Sequence, residues 1–305
     1  MDSLRRKTTL KTYGHLADEQ RVPSDYDLGS RDLLPYLRSG KFELDLPVTR
    51  WYKTHQTRSQ LNCEDWEAFS DPSELTYSKY TEKRAVSEQF VDKIFSMIDE
   101  QGGDKTLDPS WLELLENVFA PMRYPFHAFQ MVASYVGQMA PSSRIAICCL
   151  FQSADEMRLI QRIAYRMGQI RQHHPSFGEQ SRRVWEQDEI WQEIRKIVES
   201  LLVTYDWGEA FCALNLVLKP TLEPIMIREF PRLGVRCGDE HLASVFSSLA
   251  EESDWHSEWS DHLVAVAVES NPKNASVIEQ WREKWQLLAD PAEQQFRDML
   301  YKIFS

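Results

Sequence analysis

Residues 143–173 hold a single helical register for about thirty residues, with no proline and one glycine. At 1.5 Å of rise per residue such a helix is ~45 Å long, well beyond the usual globular mean. An apolar stripe of that length needs equally long neighbours, so the chain is constrained toward a large helical bundle. The rest of the sequence supplies them. From about residue 76 onward we expect helices over 110–139, with kinks at Pro121 and Pro125, over 181–218, over 239–270, and two shorter ones over 274–289 and 291–303. Ser110 with Glu113 reads as a capping box, Ser181 as a cap, and Pro220 and Pro224 as bends. No 34- or 40-residue repeat is present, which disfavours a solenoid.

Residues 1–75 differ. They carry Pro23, Pro35, Pro47 and Pro72, show no sustained periodicity, and are punctuated by Tyr13, Tyr26, Leu33, Leu34, Tyr36, Phe42, Leu44, Leu46, Trp51 and Tyr52. A disordered tail would lack such anchors, so this segment reads as an extended arm ordered against its own bundle or a partner. The expected domains are therefore an arm, 1–75, and a helical domain, 76–305.

Within the 143–173 helix, SADEMRLIQR (153–162) places Asp155 and Glu156 side by side. It nearly spells an iron ligand, because Glu-x-x-His aims both side chains at one point inside a bundle. Here the third residue after Glu156 is Leu159. The other candidates are also incomplete. Tyr124 stands three residues before His127, and Ser253 three before His256. His256 continues the stripe Leu242, Leu249; Glu209 lies in a stripe of Val198, Leu202, Tyr205, Cys212 and Leu216; Arg123, His127, Gln130 and Ser134 form a polar line on an apolar helix. A guanidinium among these groups would repel two iron ions. We therefore expect a buried structural cluster of Arg123, His127, Glu156, Glu209 and His256, in which Arg123 and His127 pair with Glu156 or Glu209, with no metal, cofactor or catalytic residue in this chain. Arg123→Met should then cost on the order of 3 kcal/mol.

Composition narrows the function classes. With 35 basic and 47 acidic residues the net charge is −12, which disfavours nucleic acid and anionic membranes as partners. No uninterrupted apolar run approaches the ~20 residues of a membrane span and the polar N-terminus lacks a signal-peptide core, so a cytoplasmic location is expected. Cys63, Cys148, Cys149, Cys212 and Cys237 form no C-x-x-C pair, and Cys148 and Cys149 read as small buried thiols. Phosphate-binding glycine loops and the serine-hydrolase elbow are absent. The pairs Trp255/Trp259 and Trp281/Trp285, spaced by four, read as packing or interface.

Several longer segments resemble one family: DPSELTYSKY (71–80), RYPFHAFQM (123–131), YVGQMAPSS (135–143), SADEMRLIQRIAYR (153–166), DWGEAFCALNLVLKP (206–220) and WREKWQLLAD (281–290). They are similar to the β subunit of the hydroxylase component of soluble bacterial multicomponent monooxygenases, most of all the toluene and alkene type. The similarity starts near KTYGHLADEQRVPSDYDLGSRDLL (11–34) and runs to the C-terminus. It implies an all-α, ferritin-like fold that has lost its iron ligands. The implied partners are an α subunit holding the di-iron centre, a small γ subunit, a second αβγ protomer, an effector protein, and a reductase with a ferredoxin. The resemblance implies an NADH-dependent complex that hydroxylates or epoxidises a hydrocarbon, with this chain as its non-catalytic scaffold. It also implies that the arm wraps α and that surface tryptophans serve interfaces. The linker between Leu33 and Trp51 is shorter than in the aromatic-oxidising members, which leaves the hydrocarbon open. Two other classes remain: a stand-alone ferritin-like di-iron or radical oxidoreductase, and a helical interaction module.

Overall fold

The computed structural model describes residues 23–31, 33 and 45–304, with side chains through residue 301. The described residues form an all-α bundle without a strand. Its helices are α1 (Asp25–Ser30), α2 (Pro47–Tyr52), α3 (Tyr77–Gln101), α4 (Pro109–Leu114), α5 (Arg123–Met139), α6 (Ser143–Arg171), α7 (Ser181–Gln187), α8 (Glu189–Leu202), α9 (Trp207–Phe211), α10 (Lys219–Glu223), α11 (Phe230–Arg236), α12 (Glu240–Ser270) and α13 (Lys273–Phe304).

Two of the long runs are assembled from short pieces, and the joints sit at prolines. A π turn, Leu115–Phe119, and a 3₁₀ turn, Ala120–Met122, carry α4 into α5 past Pro121. Two further π turns, Cys212–Leu218 and Pro224–Glu229, join α9, α10 and α11 across Pro220 and Pro224. A proline in a helix interior removes one N–H and crowds the carbonyl four residues back, and a widened turn gives that carbonyl room. The helix expected to end or bend at Pro220 and Pro224 is thus a continuous helical run to Arg236. Long and apolar enough to cross a membrane by composition, this run has 78% of its most apolar window buried inside the bundle. Its apolar character therefore reflects a place at the centre of the core.

Other boundaries differ from the sequence expectation for local reasons. Asp108, not Ser110, caps α4, accepting from the backbone N–H groups of Ser110 and Trp111 at 2.9 and 3.1 Å, with Pro109 in the first turn. The expected helix over 181–218 is three helices, because Asp188 caps α8 and Asp206 caps α9. Conversely α13 continues through Pro291 as one helix of 32 residues. The carbonyl that Pro291 leaves without its partner belongs to Leu287, which is exposed, so water can satisfy it.

The core is a single cluster in which Trp111, Trp191, Trp207, Trp259 and Trp285 are fully buried. Trp255 and Trp281 are buried too, so both tryptophan pairs serve this chain's own packing rather than a surface. Cys148 and Cys149 are buried, as expected, and burial pushes both thiols up. The described parts of the arm also lie on the bundle. Arg144 Nη2 donates to Asp27 Oδ1 at 2.8 Å, the Asp71 backbone N–H donates to Tyr26 Oη at 2.9 Å, and Phe69 and Leu61 are buried. Tyr13, Leu34, Tyr36, Phe42 and Leu44 lie outside the described residues.

α5 and α6 pack closely. A Cβ on Gly137 would stand 2.9 Å from Cys149 Cβ and 3.4 Å from the Ala146 carbonyl oxygen. Gly137→Ala gains about 1 kcal/mol of helix propensity but overpacks this contact, at a cost of about 1–3 kcal/mol. We expect a net loss of about 1 kcal/mol in urea unfolding; a stabilised variant would show that the two helices can part freely.

Candidate functional site

The bundle interior contains a compact set of charges contributed by α3, α6, α10 and α12. From α6, Asp155 and Glu156 are adjacent in sequence and therefore diverge by about 100° around the helix. Each finds its own cation. Arg84 on α3 forks onto Asp155, with Nε donating to Oδ1 at 2.7 Å and Nη2 to Oδ2 at 2.6 Å. Tyr80, one turn earlier, donates its hydroxyl to Asp155 Oδ1 at 2.7 Å, and His256 Nε2 lies 3.1 Å from Oδ2. Burial pushes the Asp155 carboxyl up, but the His256 and Arg84 hydrogen bonds outweigh it and hold Asp155 well below the usual carboxylate range.

An ionised Asp155 can only accept, so the His256 proton sits on Nε2. Burial and the Lys219 charge lower the His256 imidazole, keeping it neutral, and its Nδ1 is a buried atom with no partner. The network continues outward along α3 and α6. Arg158 donates to Glu252 Oε1 at 2.6 Å and to Glu88 Oε1 at 2.7 Å, while Arg162 pairs with Asp92 at 2.7 Å and with Glu88.

Glu156 meets a different cation. Lys219 Nζ donates to Glu156 Oε1 and to Glu223 Oε1, and Ser253 donates its hydroxyl to Glu223 Oε2. All three charged side chains are buried: Lys219 is 4%, Glu156 2% and Glu223 5% exposed. Lys219 and Glu223 are one turn apart on α10 and each directly precedes a proline, so both are held in the short helix between the two π turns. Burial alone would lower the Lys219 ammonium, but the two carboxylates outweigh it and raise it. Burial raises Glu156 from 4.5 to about 7, against the pull of Lys219 and with the Glu223 and Asp155 charges adding to the rise.

This donor set does not fit a di-iron centre. Two cations bridged by oxygens need to sit ~3.5–4 Å apart. The space bounded by Asp155, Glu156, Lys219, Glu223, Glu252, Ser253 and His256 is a cavity of ≈ 20 Å³, and an ammonium already stands between the two glutamates. Among the described residues no group of three or more His, Cys, Asp or Glu side chains is arranged to hold a metal ion.

Of the five residues expected in the buried cluster, the structure brings Glu156 and His256 together and leaves three out. His127 is exposed, because the apolar face of α5 is Phe126, Phe129, Val132 and Val136 and the polar line lies off it. Arg123 is half-buried and donates to Ser181 Oγ at 2.6 Å and Tyr124 Oη at 3.3 Å, far from any glutamate of the centre. Glu209 falls in the first turn of α9 after a helix break. Its Oε1 accepts from Lys284 Nζ at 2.5 Å and Trp285 Nε1 at 3.1 Å. The stripe that placed Glu209 inward assumed an unbroken helix, and its members Leu202 and Tyr205 are exposed. A signal was available, since Asp206 followed by Glu209 has the spacing of a capping pair and Asp206 Oδ1 accepts from the Glu209 N–H at 3.0 Å. Missed entirely were Arg84, Lys219, Glu223 and Glu252, of which only Lys219 and Glu223, four apart, carried a local pattern.

The sequence pattern of the family described as Methane/Phenol/Alkene Hydroxylase matches residues 50–271. The chain is 36% identical over 304 residues to the toluene-4-monooxygenase system hydroxylase component subunit beta of Ectopseudomonas mendocina, covering 98% of this chain and 93% of that one. A solved chain from toluene 4-monooxygenase with toluene bound in its resting active site superimposes with a TM-score of 0.90 at 36% identity, covering 95% of this chain and 97% of that one. A chain of xenon-pressurized phenol hydroxylase from Pseudomonas sp. OX1 shares the fold, with a TM-score of 0.86 at 20% identity over 94% of this chain and 88% of that one.

Two measurements test the charge arrangement. Arg84→Met leaves Asp155 without its bidentate partner and should cost about 3–5 kcal/mol in urea unfolding. Arg123→Met removes two half-buried hydrogen bonds to neutral hydroxyls and should cost about 1–2 kcal/mol. Equal costs would contradict the geometry. The second is pH dependence. With Glu156 at about 7 in the folded chain and 4.5 as its ordinary value, the folded state holds a proton that the unfolded state has released between those values. That contribution to stability is present below pH 4.5 and is lost as pH rises toward 7. Gln does not titrate. The stability of Glu156→Gln relative to the parent should therefore improve between about pH 5 and pH 8; a constant or worsening difference would contradict the assignment.

Proposed function

As the chain belongs to the methane/phenol/alkene hydroxylase family and is most alike among these comparisons to a hydroxylase β subunit, we propose that it is the non-catalytic β subunit of a di-iron monooxygenase. The single observation that carries this reading is the Lys219 ammonium between Glu156 and Glu223, at the place in the bundle where a cation centre would need open carboxylates. A chain whose interior carboxylates are already neutralised leaves iron and dioxygen chemistry to a partner.

On this reading the partner is an α subunit carrying the di-iron centre. A small γ subunit and a second αβγ protomer complete the hydroxylase; an effector protein completes the system, and a ferredoxin with its reductase delivers NADH-derived electrons in the cytoplasm. The substrate is a hydrocarbon, with toluene as the first candidate because the relative at 36% identity is named for it. The β subunit contributes surface. Obligate interfaces bury roughly 2,000–5,000 Å², and the exposed Val48, Trp51, Val203 and Tyr205, clustered by the Trp51–Tyr205 ring contact at 4.9 Å, belong to such a surface. The arm, residues 1–75, wraps α on this reading; its residues 1–22, 32 and 34–44 lie outside the described structure.

The test is iron analysis with turnover. The chain purified alone from iron-replete cells should contain no stoichiometric iron and oxidise no toluene. Both should appear when it is co-purified with its di-iron partner, effector and electron-transfer proteins. Two irons per isolated chain, or hydrocarbon oxidation by it, would overturn the proposal in favour of a stand-alone oxidase.

A further inference from the structure

We propose that the chamber between α6, α10 and α12 is a site for a primary ammonium ion, and that Lys219 is its tethered occupant. Two observations point to a bound cation there. The first is the occupant itself: a buried ammonium donating to carboxylates from two different helices, Glu156 on α6 and Glu223 on α10. The second is His256 on α12, 3% exposed, lining the same ≈ 20 Å³ cavity with its Nδ1 unpartnered. With its proton committed to the Asp155 side, Nδ1 presents a lone pair rather than a donor. An acceptor nitrogen and two carboxyl groups lining one small space suit a compact ion carrying three N–H donors.

Other groups complete the lining of the cage. Ser253 occupies the second oxygen of Glu223, Leu159, Ile227 and Leu249 supply apolar walls, and Asp155 and Glu252 are already held by Arg84 and Arg158. The cations therefore divide the carboxylates between them: Arg84 and Arg158 take Asp155 and Glu252, and Lys219 takes Glu156 and Glu223. Removing Lys219 leaves the buried Glu156 and Glu223 with no cation and a void the length of its side chain. A chain in this state should take up the missing piece from solution. For Lys219→Ala the missing piece is n-propylammonium, which restores the ammonium and the methylenes together.

The consequence for iron rests on the non-catalytic reading: a filled cage cannot compete with the partner for metal. The ammonium site itself does not depend on that reading. A failed rescue would leave the iron content of the partner untouched and would sink only the present inference.

The experiment measures unfolding of full-length Lys219→Ala in urea at neutral pH with added n-propylammonium chloride, using tetramethylammonium chloride at equal concentration as a control for ionic strength. Tetramethylammonium has the charge but no N–H donor. At a concentration ten times its Kd, n-propylammonium should raise the folded-to-unfolded ratio of the variant about elevenfold. The parent should not respond. No effect on the variant, or an equal effect from tetramethylammonium, would overturn the proposal. If Lys219→Ala does not fold, Lys219→Met and the double variant Glu156→Gln/Lys219→Met decide it. At pH 9, above the Glu156 value of about 7, the double variant has one fewer carboxyl to ionise and should unfold at higher urea than Lys219→Met. An equal or lower midpoint would also overturn the proposal.

Discussion

Glu156 lies 2% exposed at the centre of the bundle, where an uncompensated carboxylate costs several kcal/mol, and much of the surrounding architecture answers that cost. Lys219 has to reach it from another helix, and Glu223 has to share the same ammonium without pushing it off. With one cation between two carboxylates the local balance is one negative charge too many, and raising Glu156 to about 7 is how the site absorbs it. Asp155, one residue away, has an opposite fate because a guanidinium, a phenol hydroxyl and an imidazole all donate to it. Neighbouring carboxyls on one helix thus shift in opposite directions, because burial prevails at Glu156 and the donated hydrogen bonds prevail at Asp155.

The backbone that delivers Lys219 is shaped by its prolines. Pro220 and Pro224 follow the two charged residues of α10 directly, and the π turns on either side are the way a helix accommodates them without breaking. The same device recurs before Pro121, where α4 passes into α5. These wide turns let one apolar run from Trp207 to Arg236 stay continuous through the core while presenting a lysine and a glutamate inward. Positioning and solubility in the bundle interior are thereby solved by one segment.

Much of the fold could be read from the chain because helix periodicity over thirty residues is a strong signal, and α6 and α12 lie close to where spacing put them. The similarity to hydroxylase β subunits, carried by six separate segments, agrees with the 36% identity found over nearly the whole chain. Errors cluster where a short polar side chain competes with the backbone. Asp188 and Asp206 break what looked like one helix, and the break at Asp206 turned Glu209 away from the centre toward Lys284 and Trp285. Within the centre, His256 was identifiable because it lies on an apolar stripe, and Glu156 because it nearly completes a Glu-x-x-His pattern. Arg84 and Lys219 were not, since a lone cation on a helix carries no mark of burial; only the tertiary pairing with Asp155 and Glu156 reveals it. Arg123 and His127 looked inward by spacing alone, and the aromatic face of α5 decided otherwise.

The central claim is that the bundle's interior carboxylates are neutralised by the chain's own side chains and not by metal. Anomalous diffraction at the iron edge, from crystals of the assembled hydroxylase prepared from iron-replete cells, tests it most directly. The account predicts an iron signal in the larger partner and none between Glu156 and Glu223. An anomalous peak flanked by those two carboxylates, with the Lys219 side chain displaced, would contradict it.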